Sequence, residues 1–92
     1  MITAQEAKVA TLARLEVKAK EFILNNVGLP IQDAIDCGKF YTTVSLDKVP
    51  NAIKMGEEIV RQLEEQGYKA EHIYHDGPNG YYNYISIKWG ED

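Results

Sequence analysis

Cysteine is almost absent from this chain. Cys37 stands alone, so no disulfide can close within it, and that absence fits a reducing compartment. Arginine is nearly as scarce, limited to Arg14 and Arg61, and no run of basic residues occurs. Acidic residues outnumber basic ones 14 to 10, for a net charge of −4. A long polyanion must have its phosphates neutralised by Lys and Arg. The balance therefore argues against long nucleic acid and towards a protein partner that accepts an acidic surface. No stretch approaches the roughly 18 apolar residues of a membrane span. A basic-then-apolar signal pattern is also missing from the N-terminus. The expectation is a cytoplasmic protein with no membrane partner.

What is present fits one domain of 92 residues. A chain this short buries only about 60–65% of its unfolded surface, so pairing with a copy of itself would add stability. Thr3-Ala4-Gln5-Glu6 has the spacing of a capping box, in which hydroxyl and carboxylate each satisfy an amide of the first turn. A helix is expected over residues 3–26, with Leu12, Leu15, Ala19, Phe22 and Ile23 on one stripe. Its first two turns are Ala-rich, and are expected to project beyond the core or pack on another chain. Gly28 and Pro30 interrupt it. Pro30 suits the first position of a short helix over 30–37, which Gly38 ends. Phe40, Thr42, Val44 and Leu46 alternate with polar or half-exposed neighbours, as in a strand over 39–46 with one buried face.

Asp47-Lys48-Val49-Pro50-Asn51 turns the chain into a second long helix over 51–66. Its buried stripe is Ala52, Met55, Ile59 and Leu63, widened by Val60. Gly56 lies beside that stripe and costs about 1 kcal/mol of helix propensity relative to Ala, which a close contact with another element would explain. Gly67 is placed to end this helix in a Schellman motif closed by Tyr68. Strands are expected over 69–75 and 81–89, joined by a turn over Asp76–Gly80, with Gly90-Glu91-Asp92 as a tail. Ile85, Ile87 and Trp89 share one face of the last strand; Tyr82, Tyr84, Ser86 and Lys88 share the other.

The expected fold is α+β, in the order α-α(short)-β-α-β-β. The two long helices cover one face of a three-stranded mixed sheet. The strand–helix–strand unit leaves its strands pointing the same way. The last strand then either flanks its neighbour or slots between the two, as in a split crossover.

Few residues suggest chemistry. His72 and His75 resemble metal ligands, but residues three apart in a strand point to opposite faces. No metal or cofactor is therefore expected. Asp76 beside His75 leaves a small enzyme using His72, His75 and Asp76 as one reading, since triads are defined by geometry and not by order. Cys37 sits at a helix C-terminus, whose partial negative charge opposes thiolate formation. Glu57-Glu58 and Glu64-Glu65 read as a solvated helix face, or as an acidic surface for a basic groove. Tyr41, Thr43, Tyr82 and Tyr84 fall on the sheet face that the helices leave open. Such a patch is either an anchor for a partner or tyrosine in its role of strand former. The turn supplies a second candidate contact at Asp76, Asn79 and Tyr81.

In four stretches the chain resembles a group of small bacteriophage proteins. These are Ile2–Lys8 (ITAQEAK), Ala34–Phe40 (AIDCGKF), Leu63–Glu71 (LEEQGYKAE) and Tyr84–Trp89 (YISIKW). Together with the elements they bound, they cover most of the chain. Gly28 and Pro30 depart from the continuous first helix expected of that group. The resemblance implies a phage origin and action inside an infected bacterium, and it assigns no functional residue. The expected function is non-catalytic: an accessory protein that inhibits or sequesters a host factor, a component of a defence system being one such factor. A structural or assembly role in the phage particle is the alternative. The expected partners are a copy of the chain itself and a host protein or small ligand.

Overall fold

The structure is a computed structural model that describes residues 1–47, 49 and 51–90. Its order is α1 (Ala4–Asn26), α2 (Gly28–Asp36), β1 (Tyr41–Ser45), α3 (Ala52–Glu65), β2 (Lys69–Gly77) and β3 (Gly80–Lys88). The protein is α+β, with helices packed on a three-stranded sheet. Lys48 and Pro50, in the turn expected before the second long helix, lie outside the described residues, as do Glu91 and Asp92 of the expected tail.

Local signals act where the sequence places them. The Glu6 amide donates to the Thr3 hydroxyl at 3.1 Å, and the Thr3 amide donates to the Glu6 carboxylate at 3.3 Å. At the end of α3, Gly67 has φ 93°; its amide donates to the Glu64 carbonyl and that of Tyr68 to the Leu63 carbonyl. This is the Schellman pattern. Gly38 (φ 76°) ends α2 in the same way, with Gly38 donating to Ile35 and Lys39 to Ala34. The last two strands are longer towards their turn than the expected 69–75 and 81–89. Gly77 pairs with Gly80, leaving only Pro78 and Asn79 at the tip.

The break between α1 and α2 is a bend and not a gap. Val27 donates to Ile23, and Ile31 donates to Val27. Pro30 is the third residue of α2, not its first. Within the first turn its missing N–H costs little, because that turn's amides have no partner inside the helix.

The sheet order is β1-β3-β2, and β3 is antiparallel to both neighbours. The sheet is therefore antiparallel and not mixed as expected, because the last strand takes the split position between the other two. β1 and β2 point the same way, but β3 separates them and every adjacent pair is antiparallel. β1 is also shorter than expected. Phe40 lies outside it and is 54% exposed, its ring against Gly90 and not in the core.

Ala19, Val27, Val44, Leu46, Met55, Ile59, Leu63, Ile85 and Ile87 form the core. α3 packs on β2, α2 packs on β1, and α1 packs chiefly on α3. The side chain of Gln62 is buried, and its Nε2 donates to the Glu16 carbonyl at 3.0 Å, tying α3 to α1. Only the second half of α1 enters the core. Leu12, expected on the buried stripe, is 54% exposed, and the turns before it project.

Candidate functional site

Strand register sorts every candidate residue onto one of two faces. One face carries Thr42, Val44, Ile87, Ile85, Asn83, Ala70 and His72, and it lies under the helices. The other carries Tyr41, Thr43 and Ser45 on β1, Lys88, Ser86, Tyr84 and Tyr82 on β3, and Lys69, Glu71, Ile73 and His75 on β2. None of the described helices covers that second face.

Tyr41, Thr43, Tyr82 and Tyr84 all lie on the uncovered face, but they do not form one patch. His75 is opposite Tyr82, with rings stacked at 5.0 Å and 22°. Ile73 is opposite Tyr84, whose ring is 6.2 Å from that of Tyr82. These four make a compact block at the hairpin end. Tyr41 is opposite Lys88 at the other end, four residues along β3 from Tyr84, or roughly 14 Å at the rise of a strand. Lys39 stands 6.0 Å from the Tyr41 ring centroid. Thr43, beside Ser86 and Glu71, lies between the two groups. Ile73 and His75 belong to the block although the sequence reading passed over them. The signal that finds them is pairing register, which needs the position of the turn.

The turn differs from its expected role. Asp76 and Tyr81 are paired strand residues, and only Asn79 of the three sits at the tip, beside Pro78. Tyr81 is on the helix side, edge-on to Tyr74 at 6.0 Å, and its hydroxyl accepts from Asn83 Nδ2 at 3.4 Å.

His72 and His75 lie on opposite faces, as strand parity requires. His72 Nε2 is 2.5 Å from Asn83 Oδ1, and an N–H there donates to the amide oxygen. Asn83 is 2% exposed, and this bond satisfies its carbonyl in the interior. The same imidazole explains Gly56: a Cβ on residue 56 would sit 2.4 Å from His72 Nδ1. The close contact expected of Gly56 is therefore a ring from β2. Asp76 aligns with the His72 side of β2 and not with His75, so the three residues do not converge. Among the described residues, no three His, Cys, Asp or Glu side chains gather as a metal site. Cys37 is exposed.

On α3, Arg61 donates to Glu58 at 2.7 Å and also pairs with Glu65. The hydrogen bond from Arg61, followed by its charge, holds the Glu58 carboxyl below its ordinary range against the opposing effect of burial. A groove of about 500 Å³ runs between α1 and α3, lined by Lys20, Ile23, Leu24, Arg61, Glu65 and Tyr68 among others. No described helix is long and apolar enough to cross a membrane. Comparison with protein-family models, curated proteins and solved structures finds no match to this chain.

Proposed function

We propose that the protein acts by binding another protein through its uncovered sheet face, as a phage-type accessory protein that inhibits or sequesters a host factor in the cytoplasm. The observation that carries this reading is the block of Ile73, His75, Tyr82 and Tyr84. Three rings and a branched aliphatic side chain meet on the hairpin, and no described helix covers them. Tyr82 remains 48% exposed there. Tyrosine on a strand offers large contact area at little conformational cost, and clustered aromatics are typical interface anchors. Thr43, Ser86, Glu71 and Lys69 would supply a polar margin, as interface rims do.

The test is capture from bacterial lysate on immobilised protein, wild type beside a Tyr82→Ala/Tyr84→Ala variant that keeps its circular dichroism. The reading expects one stoichiometric protein that the variant fails to hold. Capture that the variant retains in full, or no capture at all, would overturn it. The assembly reading draws on the projecting first turns of α1, and mass spectrometry of purified virions separates it from the first.

A further inference from the structure

We infer that the outer side of α1 is a self-complementary surface on which a second copy of this chain docks antiparallel. The residues on that side are Ile2, Glu6, Val9, Ala13, Val17, Lys20 and Leu24. From Glu6 to Leu24, successive steps of 3, 4, 4, 3 and 4 residues keep them within one narrow stripe of a helix with 3.6 residues per turn, and Ile2 lies just before the extended N-cap Thr3. Ala19 marks the buried side of α1. The stripe is turned well away from it, and all seven residues are exposed. Among them, Ile2 is 62%, Val9 57%, Val17 46% and Leu24 76% exposed. Three exposed large apolar residues on one line, with a fourth just before the helix, are more than solubility favours on a small protein.

The order of chemistry along the stripe identifies the occupant. The steps are symmetric about Ala13, so a two-fold axis there sets residues at equal separations from it against each other. Val9 meets Val17 of the second copy, Glu6 meets Lys20, Ala13 meets itself, and Leu24 faces the segment before α1 that carries Ile2. Each apolar residue finds an apolar residue and each acid a base. The smallest side chain falls at the axis, where two backbones approach most closely. The symmetry of the contact makes the Val9–Val17 and Glu6–Lys20 pairs each occur twice. Lys20 has no ion-pair partner among the described residues of its own chain. Glu6 uses Oε1 in the capping box, which leaves its second oxygen available. Leu24 and Lys20 border the groove of about 500 Å³ between α1 and α3, which receives the first residues of the second copy. From Glu6 to Leu24 the stripe spans about 27 Å at the helical rise, a small contact by the standard of stable dimers. The pair is accordingly concentration-dependent.

The surface is distinct from the sheet face, so its failure leaves the proposed function standing. Sedimentation equilibrium from about 10 μM to about 1 mM should show a monomer–dimer equilibrium in that range. Lys20→Glu turns both ion pairs into repulsions and should weaken the dimer by about tenfold. Glu6→Lys with Lys20→Glu exchanges the charges and should restore most of that loss. In a Cys37→Ser background, Ala13→Cys should oxidise to a disulfide-linked dimer. A strict monomer throughout the range would overturn the inference. So would a dimer that ignores Lys20→Glu, or one that is lost on Tyr82→Ala/Tyr84→Ala instead.

Discussion

Tyr84 and Ile85 are neighbours in β3, yet Ile85 is fully buried while Tyr84 remains partly exposed on the face that no described helix covers. Ile73 and His72 are likewise divided between the two faces one strand away, although both are half-buried. On the helix side each position answers to several elements at once: a strand, α3 and the polar pair His72–Asn83. On the open side each answers only to its cross-strand neighbours. A side chain held from several directions affects stability strongly when changed. One held from a single direction is free to be chosen for what it meets outside the chain.

The largest break in this contrast should come from Ile85→Ala, which removes a fully buried side chain from the centre of the sheet. A loss of about 2–5 kcal/mol is expected. Urea unfolding of this variant beside Tyr84→Ala measures the asymmetry directly; equal losses would contradict it. Gly56→Ala should follow, at about 1–3 kcal/mol of overpacking, because its methyl meets the His72 ring. Adding His72→Ala should reverse the sign for the helix. Gly56→Ala in that background is expected to stabilise by about 0.5–1 kcal/mol, and a double-mutant cycle reads the difference.

Tyr82→Ala and Tyr84→Ala sharpen the comparison from the other side. Each should cost about 1 kcal/mol or less, the scale of one cross-strand pair, while removing the captured partner. Thermal melts and capture on the same preparations test both halves. The smallest effect belongs to Arg61→Met. Arg61 holds the Glu58 carboxyl low, so its contribution is present above the ordinary Glu value of about 4.3. It is lost as pH falls through the lower folded value. Wild type and variant should therefore differ slightly at neutral pH and converge in acid. A gap that widens on acidification would contradict the sign.

Features decided within a few residues were legible in the sequence. Thr3–Glu6 and Leu63–Tyr68 carry their own hydrogen-bonding instructions, and both ends form as those instructions require. The alternation in β3 placed Ile85 and Ile87 opposite Tyr82 and Tyr84 for the same reason. What pairing decides was not legible. The periodicity of β3 is the same whether it flanks β2 or divides β2 from β1, so only the tertiary arrangement selects the split order. His72 and Asn83 are eleven residues apart, and their bond depends on the two-residue tip at Pro78-Asn79. The compact block at the hairpin end, with Ile73 and His75 beside the tyrosines, depends on that same register. Phe40 shows the limit of alternation: its carbonyl still accepts from the Trp89 amide at 3.0 Å, but its ring lies against Gly90 and is 54% exposed.

The position of β3 also sets the order in which this protein can be completed. β3 follows both of its sheet neighbours in the chain and is the strand that each of them pairs with. Until residues 80–88 have been synthesised, β1 and β2 have no strand to bind, and α3 has no finished surface to cover. The helices can form early, but the sheet closes in a single late event, with two unpaired strands exposed beforehand. A chain that ends before β3 is thus a candidate for aggregation, whereas a released chain that includes it can make every pairing of the sheet.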